Sequence, residues 1–424
     1  MLKRATPPPF NVPGNFIIPE ATSYPLTNGN VLYAINTDAD ALLKIDVYFP
    51  AGRIFQSQAS IAALTMDMLF ESTQKRTAIA LAEAMDFFGA YTDFNVRSEW
   101  ASVTLYTLNK HLQSVLPFFI ELLTLPAFKQ EELDILIARE IQDLKVALEK
   151  NSVLAQHEVA RRQWGNGHPW GMVPSIENYQ TVSRATIQEF FDQHYKLAEA
   201  QLFVAGNISE ETIKILSDAF SVGQHTKNTM SIPKFKAEVN TGEFFLQRDD
   251  SLQAAIKVVR KHIPRTHPDY NDTQMLNLLL GGYFGSRLMD NLREEKGFTY
   301  GIGSSISDFS TGSEWSIGTE VKNSVKDEAV SEIFKEMKRL IDEEVDEEEL
   351  SVARNYLLGQ ILRSLDGAYS QLRYAETVTL NDYSYELLYR GFERVKSITP
   401  KDIQLVAQKY LQSNDWLTVV CGSK

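Results

Sequence analysis

The sequence has little of what several classes of protein depend on. Its 424 residues include a single cysteine, Cys421, so no disulfide can form within the chain. The formal net charge is −13, whereas broad nucleic-acid binding needs a basic face and anionic membrane surfaces repel an acidic one. No apolar run approaches the roughly 18 residues that cross a bilayer. We therefore expect neither a nucleic acid nor a membrane as partner.

The sequence also shows no secretory leader, because the opening MLKRATPPPFNVPGNF contains no apolar stretch of signal-peptide type. Scarce cysteine fits a reducing compartment. We expect a cytoplasmic location, with a periplasmic one as the alternative if a leader has been removed. The remaining composition is that of an ordinary globular protein, 44% hydrophobic and 23% charged, and the length predicts two or three domains.

Two segments about half a chain apart resemble each other. Val182–Asn207 and Val395–Ser423 each contain a helix that begins at Ser or Thr, an HY or KY dipeptide, and an apolar strand with a glycine turn. Upstream, IAREIQDLKVALEK is similar to VARNYLLGQILRSL. The repeat predicts an α+β protein of two tandem homologous half-domains. In each, strands, long helices and a closing strand predict a mostly antiparallel sheet with helices on one face.

A polar stretch separates the two copies. Residues 221–238, SVGQHTKNTMSIPKFKAE, contain proline and no apolar period, which is typical of a linker. We predict an N-terminal domain over residues 1–220, a linker over 221–238 and a C-terminal domain over 239–424.

Several motifs along the chain resemble one family of peptidases. The most specific is LLLGGYFGSRLMDNLREEKGFTYGIGS in the second half; DMLFEST, RTAIALAEAMDFFGAYTDF, GHPWG and FVAGN lie in the first. Together they resemble the pitrilysin-like M16 peptidases, or inverzincins, in their half-length bacterial and mitochondrial-processing-type branch. The resemblance covers essentially the whole chain. It implies paired α+β half-molecules that form half of a clamshell around a peptide.

The family's zinc motif is degenerate in this sequence. The resemblance implies a helical HxxEH, whose two histidines share one helix face, and a third ligand further along. Alignment on MLF places Ala63 and Asp67 at the histidines, Met66 at the catalytic glutamate and Leu144 near the third ligand. Because Asp67 alone cannot hold Zn²⁺, we expect this chain to bind no metal and to be inactive alone.

No other residues offer a good replacement for the zinc site. The seven histidines form no H-x-x-x-H or H-x-H pair, and His262 and His267 are five residues apart around Pro264. Glu140 and Asp143 could be proposed as ligands, but their pattern is more typical of a solvated helix face.

The resemblance assigns Arg293 and Tyr300 to the active site. In the family, an arginine and a tyrosine of the second half-molecule hold the substrate carbonyl and stabilise the developing oxyanion. The two residues lie seven apart, with Gly297 between them. The alternative is that Arg293 is an ordinary surface residue and Tyr300 a core residue at the start of a strand.

A second implied feature is an edge strand that receives the peptide by β-augmentation. The matching stretch begins at Tyr91 and includes Asp93 and Phe94. Asp93 replaces the family's asparagine, which favours the alternative that this is a plain structural strand.

The preserved Arg/Tyr pair and the missing ligands together predict a subunit that completes an active site in trans. Its expected partner is a zinc-bearing homologue that carries the Zn²⁺, and its expected substrate is a peptide. Two alternatives remain open: a structural or assembly subunit without proteolysis, and a peptide-binding homodimer.

Overall fold

The computed structural model describes residues 17–37, 41–223, 232, 233, 235, 238, 240–310 and 312–424. Most of the predicted linker, namely residues 224–231, 234, 236 and 237, lies outside the described residues, as does the opening stretch 1–16. None of the helices in the described ranges combines the length and the apolar character needed to cross a membrane.

The N-terminal half is built around a six-stranded sheet in the order β1-β2-β6-β3-β5-β4. Its strands are β1 Thr22–Pro25, β2 Val31–Asn36, β3 Leu42–Phe49, β4 Tyr91–Val96, β5 Ala101–Leu108 and β6 Gln201–Gly206. Its helices are α1 Ile61–Leu69, α2 Ala78–Asp86, α3 Leu112–Thr124, α4 Gln130–Leu148, α5 Asn151–Trp164, α6 Ile176–Thr181, α7 Arg184–His194 and α8 Glu210–Phe220. All strand pairs are antiparallel except β2 with β6.

The C-terminal half has a five-stranded sheet in the order β7-β11-β8-β10-β9. Its strands are β7 Gly242–Gln247, β8 Gln253–His262, β9 Ile302–Phe309, β10 Gly312–Lys322 and β11 Leu417–Gly422. Its helices are α9 Tyr270–Asn277, α10 Lys326–Asp342, α11 Glu347–Ser364, α12 Ala368–Leu380, α13 Tyr385–Ser397 and α14 Pro400–Tyr410. Again one pair, β7 with β11, is parallel. The predicted α+β fold with mostly antiparallel sheets is confirmed.

The two sheets repeat one topology. Without β1, the first sheet reads β2-β6-β3-β5-β4 and corresponds strand for strand to β7-β11-β8-β10-β9. In both, the last strand inserts between the first two and lies parallel to the first. The helix before that strand is capped in the same way: Ser183 accepts from Thr186 N–H, and Thr399 accepts from Asp402 N–H. The internal repeat therefore extends from sequence to topology.

The main core of each half lies between its sheet and its own helices. In β3 the alternating residues Leu43, Ile45 and Val47 are fully buried in the N-terminal core. The same alternation sends Lys44 and Asp46 to the opposite face of the sheet.

Each half also sends one helix across to the opposite face of the other half's sheet. Helix α5 of the N-terminal half packs on β8 and β11 through Ala155 and Val159. Helix α12 of the C-terminal half packs on β2 and β6 through Ala368 and Leu372. The sequence repeat pairs the helices that precede these two, α4 with α11, so the exchange is reciprocal. As a result, each sheet is covered by a helix of the other half on the face for which the sequence predicted no helices.

Candidate functional site

The block around Arg293 contains two π-helical segments, Leu278–Gly282 and Met289–Glu295. Such segments are rare and occur frequently at functional sites. The second is anchored from inside the protein. The buried Asn291 donates to Glu332 Oε2 at 2.9 Å and to Glu336 Oε1 at 2.7 Å, both on α10. The backbone that carries Arg293 is therefore tied to the core.

A tight turn connects Arg293 to Tyr300. Phe298 N–H donates to the carbonyl of Leu292 at 2.9 Å, and Gly297 between them adopts φ +62°, which favours glycine. Thr319 Oγ1 fixes the far side of the turn by donating to Thr299 Oγ1 at 2.9 Å. The backbone is thus ordered on both sides of Tyr300.

The Tyr300 side chain itself is 95% exposed. The alternative that Tyr300 is a core residue is therefore wrong, because an exposed phenol contributes almost no apolar burial. An aromatic ring on a fixed backbone that projects into solvent is free to contact another molecule.

Arg293 is held by two neighbours that the sequence did not indicate. Its guanidinium lies 4.6 Å from the ring centroid of Phe284, which is itself 67% exposed, and its Nη1 lies 2.5 Å from Glu294 Oε1. A cation–π contact and an ion pair together restrict the long side chain. The nearby sequence GGYFG, with its exposed aromatic between glycines, was the only available signal for Phe284.

Arg287 has a different role from Arg293. Its Nε and Nη2 both donate to the Glu349 carboxylate at 2.8 Å, a bidentate pair that fixes the block to α11. Arg287 is thus a structural ion-pair residue, and Arg293 is the more exposed arginine of the block.

The zinc-motif positions in the N-terminal half are mostly absorbed into packing. Met66 is fully buried and Leu144 is 7% exposed, and both belong to the same hydrophobic core. Ala63, one turn away on α1, is exposed but carries no donor atom. The sequence alignment therefore places side chains here that neither bind a metal nor activate water.

Asp67 is the one carboxylate among these positions. Burial, and then the charge of Glu140, raise its pKa to about 6 against the opposite effect of Arg139. Two carboxylates without histidine do not match the nitrogen-rich ligand set of a zinc peptidase. Within the described ranges, no group of three or more His, Cys, Asp or Glu side chains could hold a metal ion. The residues present do not fit a zinc ion.

Two histidines, one of them from the pair His262 and His267 and the other from the GHPWG motif, have structural environments. His262 Nε2 lies 2.9 Å from Thr273 Oγ1, and its ring packs edge-on against Trp315. His168 is buried, with its ring 4.7 Å from that of Trp164.

The predicted substrate strand is β4, an edge strand that pairs with β5 alone in the described sheet. Tyr91 is 60% exposed and stacks on Tyr106, and Phe94 is 39% exposed and lies 4.4 Å from Phe70 between ring centroids. The Asp93 carboxylate accepts a hydrogen bond from the backbone N–H of Phe94. The free edge is compatible with β-augmentation, and the role of these residues stays a prediction.

The structure thus separates the two groups of site residues. Among the described residues, no hydrogen bond, ion pair or ring contact joins the positions on α1 and α4 to Arg293 or Tyr300. Contacts among the described residues therefore do not assemble a complete catalytic arrangement.

The comparisons with known proteins point to one family. Residues 181–357 match the model described as "Peptidase M16 inactive domain". An "uncharacterized zinc protease" of Rickettsia bellii is 24% identical over 88% of this chain and 90% of its own. The "non-peptidase homolog YmxG" of Helicobacter pylori is 23% identical over 87% of this chain and 86% of its own. A probable mitochondrial-processing peptidase subunit beta of Arabidopsis thaliana is 21% identical over 98% of this chain and 81% of its own.

A solved structure supports the same fold. The peptidase M16 inactive domain from Pseudomonas fluorescens superimposes with a TM-score of 0.85 at 18% identity, and the match covers 95% of this chain and 98% of that one. Together with the repeated topology and the degenerate zinc positions, these matches confirm the resemblance drawn from the sequence motifs: over most of its length the chain is similar to M16 peptidases and to their inactive homologues.

Proposed function

We propose that this chain is the Arg/Tyr-contributing subunit of an M16-type zinc peptidase and pairs with a zinc-bearing homologue to cleave peptides. One contrast carries the proposal. Met66 and Leu144, at two of the zinc-motif positions, belong to the hydrophobic core. Tyr300 instead projects from an ordered turn, and the Arg293 side chain, seven residues earlier, is held by Phe284 and Glu294. A site completed by another molecule requires accessible side chains on an anchored backbone, and Tyr300 and the partly exposed Arg293 fit this description.

The chemistry of the pair suits a substrate carbonyl. A guanidinium and a phenol both donate hydrogen bonds, and the guanidinium brings a permanent positive charge. Donors that are positioned before the reaction stabilise negative charge as it develops on a carbonyl oxygen. In this proposal Phe284 and Glu294 limit the movement of Arg293, so that less conformational entropy is lost when the substrate binds.

The comparisons support pairing in general terms. The Arabidopsis relative is named as a subunit of a processing peptidase, and it is similar to this chain over almost the whole of it. In the proposal Zn²⁺ resides on the partner chain, and the edge strand β4 contributes to the peptide-binding surface.

The direct test is peptidase activity on a quenched peptide library. This chain is assayed alone, then mixed with a zinc-bearing M16 homologue from the same source, with and without Arg293→Ala. Activity is expected only in the mixture, and Arg293→Ala should reduce it by about 100-fold, the scale for loss of one oxyanion donor.

The matched control is Arg184→Ala, which removes an exposed arginine at the start of α7 and should leave the activity of the mixture unchanged. A stable complex without activity would contradict the proposal, as would full activity of the Arg293→Ala mixture.

A non-proteolytic role is the second candidate. The Helicobacter pylori relative is named a non-peptidase homologue, and in the same role this chain would bind a peptide or a partner without hydrolysis. A structural or peptide-binding subunit predicts a stable complex, or binding of a labelled peptide, that Arg293→Ala does not weaken.

A further inference from the structure

The contact of helix α12 with the N-terminal sheet contains a buried ionic cluster. On β3, Lys44, Asp46 and Tyr48 alternate with core residues and face α12. From α12, Glu376 enters this cluster and is 7% exposed. Asp46 is 1% exposed. Charged groups are rarely buried so deeply unless they are paired.

The cluster is closely connected. Lys44 Nζ lies 2.6 Å from Asp46 Oδ2 and 3.7 Å from Glu376 Oε1. Tyr48 donates its hydroxyl to Glu376 Oε2 at 2.9 Å, and Thr104 on β5 donates to Asp46 Oδ1 at 2.5 Å. Glu376 thus brings a carboxyl of the C-terminal half into direct contact with Lys44 and Tyr48 of the N-terminal sheet.

The cluster has two carboxyl groups for one ammonium. Burial alone would lower the pKa of Lys44, but Asp46 and Glu376 together raise it, so the lysine stays charged. Burial, and then the charge of Asp46, raise the pKa of Glu376 to about 7, against the opposite effect of Lys44. With both carboxyls ionised, the cluster would hold an uncompensated negative charge.

Two further charged groups, both arginines, act on tyrosines around the cluster. Arg97, on the β4–β5 connection, acts on Tyr48 from outside, and Arg373 of α12 acts on Tyr106 of β5. Neither arginine is among the groups that set the pKa of Glu376. The surplus carboxylate charge is therefore relieved by a proton.

The centre of the reciprocal contact is apolar. Helix α5 meets the C-terminal sheet through Ala155 and Val159, which pack on Val259, Leu417 and Val419. Burial of apolar side chains does not depend on pH. A carboxyl enters this contact at the end of the helix, where Trp164 Nε1 donates to Glu314 of β10 at 3.2 Å. The part of α5 around Ala155 and Val159 is therefore the apolar counterpart of the α12 contact.

We propose that the contact between α12 and the N-terminal sheet is a proton-linked clamp between the two halves of the chain: one proton shared by Glu376 and Asp46 holds α12 in place, and loss of that proton loosens it. Such a device would let pH set how firmly the C-terminal half grips the N-terminal sheet. It does not rest on the proposed peptidase role.

The direction of the effect follows from the pKa of Glu376. That pKa is about 7 in the docked helix and near its ordinary value of 4.5 when α12 is released. Docking therefore takes up a proton between these values, and the docked state is favoured most at low pH and weakened as pH rises through 7. For one group with these values, the docking equilibrium falls about tenfold between about pH 6 and about pH 8.5.

The test is hydrogen–deuterium exchange of the intact chain, with rates corrected for the intrinsic effect of pH. In the wild type, protection of the α12 amides should fall about tenfold between about pH 6 and about pH 8.5, while protection of the α5 amides around Ala155 and Val159 stays constant. The α5 helix is thus an internal control for global loosening.

Two variants locate the titrating group. Glu376→Gln mimics the protonated form, because its amide can donate to Asp46 while its oxygen accepts from Tyr48, so α12 protection should no longer change with pH. Asp46→Asn leaves Glu376 paired with Lys44 alone, so the loss of protection should move to lower pH.

The proposal is overturned if wild-type α12 shows no pH dependence, if α5 changes as much as α12, or if Glu376→Gln retains the wild-type pH dependence.

Discussion

The two halves of this protein have the same strand order but differ in the exposure of the residues at the predicted site positions. In the N-terminal half, Met66 lies fully buried at the position of the family's catalytic glutamate. In the C-terminal half, Tyr300 is 95% exposed on an anchored turn. The difference teaches that apolar residues at the positions aligned with a zinc motif join the core, because packing favours them there. Stability gives no comparable reason to keep the exposed Tyr300.

The largest effect should come from Met66→Glu, which restores the family's residue type. A carboxyl group in this apolar core has no partner for its charge, so the free energy of unfolding at about pH 8 should fall by at least about 3 kcal/mol. Chemical denaturation followed by circular dichroism measures it.

The matched control is Met66→Leu, which nearly conserves volume and should cost less than about 1.5 kcal/mol. Equal stability of the glutamate and leucine variants would show that the position is hydrated rather than part of the core.

A smaller effect is expected for Asp67→Asn. The pKa of Asp67 is raised from 3.8 to about 6 by burial and by Glu140, so its ionisation costs stability as pH rises through this range. Removing the charge should raise the free energy of unfolding by about 1 kcal/mol at about pH 8, a value discounted for partial exposure, and by almost nothing at about pH 3.5.

Denaturation curves at the two pH values, with Asp134→Asn on the exposed face of α4 as control, measure this difference. A stabilisation that is the same at both pH values would contradict the electrostatic explanation.

The smallest effect is expected for the retained pair. Arg293→Ala and Tyr300→Ala should each change the free energy of unfolding by less than about 1 kcal/mol, since Tyr300 is exposed and the partly exposed Arg293 makes only one surface ion pair and one cation–π contact. Thermal unfolding of the chain alone is sufficient to measure this. A loss of several kcal/mol would instead make the pair structural and remove the contrast between the halves.

The sequence contained enough to predict the repeated unit but not how its copies interlock. The similarity of Val182–Asn207 to Val395–Ser423 indicated two homologous sheets, because local patterns determine strands and caps. The alternation in β3 gave Lys44 and Asp46 the pattern of a solvent-facing row. The structure buries them under α12, a helix more than 300 residues away in sequence, and no local pattern carries such a contact.

The candidate site, like the fold, was predicted from the sequence only in part. Family motifs indicated Arg293 and Tyr300, and the structure leaves Tyr300 exposed and Arg293 partly exposed. Phe284, which supports the arginine, escaped notice because a cation–π contact has no fixed spacing in sequence. The predicted domain boundaries, which fall around residues 221–238, stay a prediction.

The central claim is that Tyr300 faces the zinc site of another chain, and a photo-crosslinker placed at position 300 tests it most directly. Benzoylphenylalanine at position 300 is irradiated in a mixture with a zinc-bearing M16 homologue, with the same crosslinker at Phe87, an exposed residue after α2, as control. The account predicts crosslinks from position 300 to the partner's HxxEH helix or its immediate surroundings, and none there from position 87. Crosslinks from position 300 to a remote surface, or none in a complex that is demonstrably formed, would contradict it.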